Sequence, residues 1–392
     1  MLAVIWLALM LALQAQPSAQ TGALAAAPAP APTTLQTGQL IPDVRCAADA
    51  SQGYALYLPG GYTPDRPWPI ILAFDPGARG RTAVERYQAA AEQFGFIVAG
   101  SNNSRNGAQE LSKIIAALTT DVGSRFNLDP RRVYLAGMSG GSRVALTIAL
   151  QSPTIAGVIA SSAGYPDSRP RKTLTFPIFS TAGTEDFNHV EMRMLDRELT
   201  SPHRLVVFTG GHVWLSSELA VEAVGWMQLM AIKRGVVPRD QAFVDRLFAA
   251  RTAAVDLAKS DAPTYLAAQA IVDDFTGFED VTAFAARAAI LAKDKGVRDA
   301  LKRDRDEDDR ELQTLENIRV LESRLTNEDE HTSALGQLRQ RWKQLSDRAR
   351  APEDSAERRF SRRVLSGLSA SIVSEDPEYL KIVSEYRMGR GR

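Results

Sequence analysis

Between residues 69 and 208 the chain alternates short apolar runs with helix-length segments. The runs are Pro69–Phe74, Phe96–Gly100, Arg132–Ala136, Ile155–Ser161, Phe176–Ala182 and Leu205–Phe208. Between or after them lie the expected helices Thr82–Phe94, Leu111–Phe126, Ser142–Leu150 and Ser217–Arg234. Runs of this kind read as strands buried on both faces, and their alternation with helices predicts a mostly parallel sheet with crossover helices on both faces. The expected fold class is α/β.

After Pro238 the strand pattern stops and apolar residues recur at helical spacing. Phe243, Leu247 and Ala250 open one helix; Tyr265, Ala268, Ile271, Val272 and Phe275 mark a second, with Gly277 as its stop; Val281–Lys293 is a third. From Leu301 to Val320, twelve of twenty residues are charged, with mixed signs, which reads as a solvated helix face carrying i,i+4 pairs. Leu312, Leu315, Ile318, Leu321 and Leu325, then Leu335, Leu338, Trp342 and Leu345, mark the apolar faces of two helices joined near Asn327–Glu330. Phe360, Val364, Leu368 and Ile372 mark a last one. Small residues facing aromatics give this region a tetratricopeptide-like look, although no 34-residue register returns several times.

The first thirteen residues, Met1 to Leu13, are all apolar. That is shorter than the ~20 residues of a spanning helix, and fits the apolar core of a signal peptide with Ala12–Ala15 as a small-residue cleavage site. No Lys or Arg precedes the run, and a buried N-terminal helix is the alternative. Ala23 to Thr34 is rich in Ala and Pro and reads as a tether. The expected organisation is a signal peptide over 1–22, a linker over 23–36, a catalytic domain over 37–235 and a helical region over 236–392. Localisation would be periplasmic or secreted, without a stable transmembrane anchor.

Composition narrows the chemistry mainly by exclusion. The 392 residues suit two domains, or three, at about 150 residues each. Lys plus Arg is 46 and Asp plus Glu is 46, so no net charge draws the chain to nucleic acid. A single cysteine, Cys46, cannot form an intramolecular disulfide, and four histidines make a zinc site a poor expectation. No metal and no organic cofactor is expected.

The strand ending at Ala136 runs into Gly137-Met138-Ser139-Gly140-Gly141 and then into a helix. G-x-S-x-G between strand and helix is the context of a nucleophile elbow, whose tight turn needs nearly side-chain-free residues two before and two after the serine. A weak nucleophile needs a base, and the base an orienting acid. Gly183-Thr184-Glu185-Asp186 follows the run at Phe176, and Gly210-Gly211-His212-Val213-Trp214 follows the run at Leu205. Both sit on loops at carboxyl ends of strands, where open α/β sheets bind ligands. Ser139 as nucleophile, His212 as base and Asp186 as acid stand in the chain order of this chemistry, with Glu185 a rival for the acid. His189 and His203 read as surface residues.

On these motifs the segment from Tyr54 to about Ala231 resembles the α/β-hydrolases, in particular the esterase branch of polyhydroxybutyrate depolymerases, feruloyl esterases and dienelactone-hydrolase-like proteins. The resemblance covers about half the chain. It implies the α/β-hydrolase fold, an acyl-enzyme on Ser139 and an oxyanion hole with the Gly140 N–H as one donor. Where the family usually has His-Gly after the first core strand, this chain has Asp75-Pro76-Gly77-Ala78. Proline has no N–H, so the second donor is expected from Gly77 or Ala78, and the Asp75 carboxylate should be tied into hydrogen bonds that cap the turn.

Asn102 and Asn103, in the polar loop Ser101–Gly107, and Trp214 beside the base are candidates to line a substrate pocket, with a plain solvated loop as the alternative for the asparagines. The reading is an exported serine hydrolase acting on a small-molecule or polymeric carboxylic ester. A peptidase is a less favoured variant. The alternative from another class is a catalytically weak or inactive hydrolase platform whose C-terminal helices dock a protein partner.

Overall fold

The computed structural model describes residues 35–387 apart from 168 and 170. The expected signal peptide and nearly all of the linker lie outside the described residues. Contacts divide the chain into two units, the first made of residues up to 181, 198–204 and 214–238, the second of 182–197, 205–213 and 239 onward.

The sheet has eight strands: β1 (Leu40–Arg45), β2 (Gly53–Tyr57), β3 (Trp68–Phe74), β4 (Ile97–Ser101), β5 (Leu128–Met138), β6 (Ile155–Ser161), β7 (Ile178–Gly183) and β8 (His203–Phe208). Their order is β1-β2-β4-β3-β5-β6-β7-β8. β2 runs antiparallel to both β1 and β4, whereas the pairs β4–β3, β3–β5, β5–β6 and β6–β7 are parallel. An antiparallel β2 beside β4, followed by the β4–β3 exchange and a parallel run onward, is the arrangement of the α/β-hydrolase fold. Every residue of β2, β3 and β4 is buried, as their apolar sequences require. Each large aliphatic or aromatic side chain so removed from water stabilises the sheet by about 1.5–3 kcal/mol.

Helices α1 (Gly80–Phe94), α2 (Leu111–Arg125), α3 (Gly140–Gln151), α4 (His189–Glu198) and α5 (Ser217–Lys233) follow or separate the strands. In α1 the buried residues Ala83, Val84, Tyr87, Ala90 and Ala91 recur at helical spacing, and Gly95 ends the helix in the left-handed conformation with its N–H on the Ala91 carbonyl. β1, β2 and α4 have no counterpart among the sequence-based expectations. His189, expected at the surface, is 6% exposed, and its ring Nδ1 lies 3.0 Å from the Gly183 carbonyl oxygen.

The C-terminal helices are α6 (Gln241–Ala253), α7 (Ala262–Phe275), α8 (Thr282–Leu291), α9 (Lys295–Ser323), α10 (Glu328–Ala349), α11 (Ala356–Ala370) and α12 (Pro377–Tyr386). Six of the seven begin at a side-chain cap: Asp240, Asp261, Asp294, Asn327, Ser355 and Asp376 each accept a backbone N–H of the first turn. Leu338 and Trp342 of α10, Val364 and Leu368 of α11 and Tyr379 of α12 are fully buried in one core with Ile318 of α9. The expected last helix ends before Ile372, and Pro377 starts a further one. Helix lengths from 10 to 29 residues do not return at a fixed period, so the tetratricopeptide likeness gains no support. Among the described residues no helix is long and apolar enough to cross a membrane.

Candidate active site

Ser139 stands between β5 and α3 with φ 54° and ψ −123°. A non-glycine residue in that region is strained, and the surrounding backbone holds it there. Its N–H donates to the Ser161 carbonyl at 2.8 Å, and its own carbonyl accepts from Ser142 and Arg143 N–H at 2.9 and 3.2 Å. The flanking glycines are obligatory. A Cβ on Gly137 would lie 2.2 Å from the Gly141 carbonyl oxygen, and one on Gly141 would lie 1.9 Å from the Phe74 carbonyl oxygen. Gly140 and Gly141 open α3, so their N–H groups have no acceptor within the helix.

The turn after β3 is organised by Asp75, which is fully buried. Its Oδ1 accepts from Gly77 N–H at 2.8 Å and Arg79 Nε at 2.9 Å, and its Oδ2 from Arg79 Nη2 at 3.1 Å and Trp214 Nε1 at 2.7 Å. Burial alone would raise this carboxyl, but the hydrogen bonds from Arg79, Trp214 and Gly77 outweigh it and hold the pKa below its ordinary value. The expectation that Asp75 caps the turn is met.

The same bonds overturn the expected second oxyanion donor. Gly77 N–H is on Asp75 Oδ1, and Ala78 N–H donates to the Asp75 carbonyl at 3.0 Å. Neither is free to face a reacting oxygen. Trp214, expected against substrate, is 6% exposed and gives its indole N–H to Asp75 instead.

Asn102 and Asn103 are also structural. Asn102 Nδ2 donates to the Pro42 carbonyl and to Asp43 Oδ1, both at 3.1 Å. Asn103 Oδ1 accepts from Gly53 N–H at 2.9 Å, and its Nδ2 donates to the Ser51 carbonyl at 3.3 Å. The residue of this loop that reaches the elbow is Asn106. Its N–H donates to the Pro76 carbonyl at 2.8 Å, and its carboxamide lies over Gly140, where a Cβ would come within 1.8 Å of Asn106 Oδ1. That carboxamide makes no hydrogen bond among the described residues. In the sequence Asn106 is one of several polar residues of the loop, and nothing local singles it out.

In the second unit, the loop after β7 carries Asp186 and the loop after β8 carries His212. Asp186 is fully buried, and its Oδ1 lies 2.7 Å from His212 Nδ1 while also accepting Asn188 N–H at 2.8 Å. The His212 ring stacks on Phe187, with centroids 4.0 Å apart and planes 27° apart. Gly183 lets the two loops approach: a Cβ there would lie 2.3 Å from the Gly210 carbonyl oxygen. Glu185, the rival acid, faces elsewhere and binds Arg362 Nη1 with both oxygens at 3.1 and 2.9 Å.

Among the described residues no group of three or more His, Cys, Asp or Glu side chains could hold a metal ion. The first unit holds a strained serine at a helix N-terminus beside the Gly140 and Asn106 amides, and the second holds a histidine paired with a buried carboxylate.

Solved structures similar to this chain include a hyperthermophilic esterase from Pyrobaculum calidifontis, at 12% identity, covering 50% of this chain and 87% of that one with a TM-score of 0.38. The feruloyl esterase module from Clostridium thermocellum is 15% identical, with coverage of 51% and 90% and a TM-score of 0.40. Est1E from Butyrivibrio proteoclasticus is 16% identical, with coverage of 46% and 95% and a TM-score of 0.37. No protein-family profile and no curated protein matches the chain. Overlaps this slight carry no weight of their own, and the fold assignment rests on strand order and the elbow.

Proposed function

We propose that the chain is an exported serine hydrolase that cleaves carboxylic esters through an acyl-enzyme on Ser139. The observation that carries this reading is the Asp186–His212 pair at 2.7 Å on loops that follow β7 and β8, together with Ser139 held at φ 54° after β5. In this reading His212 Nε2 takes the Ser139 proton as the hydroxyl oxygen bonds to the ester carbonyl carbon. The same proton then passes to the leaving alkoxide as the C–O bond breaks. Asp186 fixes the tautomer that leaves Nε2 as the acceptor and stabilises the imidazolium. Water, activated by His212, releases the acid from the acyl-enzyme.

The oxyanion would be held by Gly140 N–H and, in place of the occupied Gly77 and Ala78, by the Asn106 side chain. A half-turn of the carboxamide exchanges its oxygen and nitrogen at the site, so Nδ2 can be presented there. The ester class comes from the family resemblance. Export is supported by the thirteen apolar residues at the start of the sequence.

The test is labelling of purified protein by a fluorophosphonate probe, with Ser139→Ala as control. Covalent labelling that disappears in the variant is expected, followed by turnover of p-nitrophenyl esters. Folded wild-type protein that takes up no probe would overturn the reading.

A further inference from the structure

We infer that helix α11 is a positioning element of the catalytic site, with Arg363 and Arg362 holding the loop on which Asp186 is carried. The inference rests on the serine hydrolase reading for its consequence and on the geometry of the second unit for its substance. Arg363 Nη1 donates to the Thr184 carbonyl at 2.9 Å. The rest of that guanidinium is fixed by Glu311 of α9, whose Oε2 accepts from Nε and lies 2.7 Å from Nη2. Arg363 is 7% exposed and Glu311 1%, so the arginine is held in one orientation with one donor aimed at the loop.

Arg362, the preceding residue, grips both Glu185 oxygens, and its Nε is anchored on the Ala349 carbonyl at 2.9 Å. The two residues immediately before Asp186 are therefore each bound by one of two consecutive arginines. On the other side of Asp186, a Cβ on Gly367 of α11 would stand in van der Waals contact, 3.5 Å from Phe187 Cβ. Phe187 is the ring that stacks on His212. One helix thus touches the loop before and after the acid.

These contacts are separable from the packing of α11. Its core residues are Phe360, Val364, Leu365 and Leu368, which join α9, α10 and α12. Arg362, Arg363 and Gly367 are not among them, and beyond the anchors on Ala349 and Glu311 the two arginines reach the loop. A displacement of about 1 Å in a catalytic group can cost about 10²-fold in rate. The Asp186 carboxylate is fixed through Oδ1 alone, because its Oδ2 is buried without a hydrogen-bond partner among the described residues.

The test uses the full chain with Arg362→Ala and the double substitution Arg363→Met with Glu311→Leu. The double variant removes both buried charges together, which avoids leaving one unpaired and preserves folding. Two readouts are followed: kcat and KM on p-nitrophenyl butyrate, and the downfield proton resonance of the His212 Nδ1–H to Asp186 hydrogen bond. The double variant is expected to lose 10- to 100-fold in kcat with KM within about twofold. Its downfield resonance should be broadened or lost, while Ser139→Ala retains it.

A folded double variant with wild-type kcat and an intact resonance would overturn the inference. If wild type proves inactive towards esters but the variant still loses the resonance, the positioning role stands and the hydrolase reading alone fails.

Discussion

The indole N–H of Trp214 donates to Asp75 Oδ2 at 2.7 Å, joining two residues 139 positions apart in the chain. The bond ties the segment after β8 to the turn after β3. It also explains how a carboxylate is tolerated beside a site proposed to stabilise negative charge: both Asp75 oxygens are occupied by donors.

Asp75→Ala would leave the Trp214 and Gly77 N–H groups without their acceptor in a dry environment. We expect a loss of ~3 kcal/mol, measured by urea unfolding at pH 7. Because the folded-state pKa of Asp75 lies below the ordinary value of 3.8, its stabilisation is fully present above that value and is lost as pH falls through the folded pKa. Asp75→Asn should lack this acid-sensitive part, so the wild-type and variant stabilities should converge as pH is lowered.

Asn106→Ala removes the side chain over Gly140. If its amide holds the oxyanion, kcat should fall about 10²- to 10³-fold with KM nearly unchanged, as for other single oxyanion donors. Steady-state kinetics on a p-nitrophenyl ester decides this, and an unaltered kcat would return the role to another group.

His189 and Glu311 should oppose one another in the pH dependence of stability. Burial, aided by Arg363 and Arg193, pushes His189 down from 6.5 to about 4, so the unfolded chain holds the extra proton between these values and stability rises with pH there. Burial pushes Glu311 up from 4.5 to about 7 against the pull of Arg363, so the folded chain holds the extra proton and stability falls with pH over that window. Relative to wild type, His189→Gln should show stability falling more steeply from pH 4.5 to 6.5, and Glu311→Gln should show it rising. Denaturation midpoints at half-unit pH steps would measure both slopes.

Cys46 is 2% exposed, and burial beside Asp121 raises its thiol pKa to about 11. It should therefore resist iodoacetamide at pH 8 in the folded protein and react promptly in denaturant. Mass spectrometry of the two samples reads the outcome directly.

The parallel strands were readable because a strand buried on both faces is written as one apolar run, as in Trp-Pro-Ile-Ile-Leu-Ala-Phe of β3. β1, Leu-Ile-Pro-Asp-Val-Arg, hides itself: it is an edge strand with an interior proline and a register shift between Ile41 and Val44. Ser139, Asp186 and His212 could be nominated because each follows a strand, and the structure pairs the last two. The partners of those residues could not. Nothing around Trp214 announces Asp75, and nothing around Arg363 announces Thr184, because both contacts join segments far apart in sequence. His189 departs from its expected surface position for a related reason: its neighbours look polar, while its ring meets a backbone carbonyl. Asn102 and Asn103 were the conspicuous amides of their loop, yet both are occupied in pinning it, and the unoccupied one is Asn106.

The arginine grip on the Asp186 loop also has a consequence in time. Arg362 is 177 residues downstream of Glu185, so at about 5–20 residues per second a ribosome makes the acid loop roughly 10 to 35 s before the helix that steadies it. The nascent chain can complete its sheet and elbow well before its acid is held in place. On the proposed reading, catalytic competence should then arrive only once α11 has emerged.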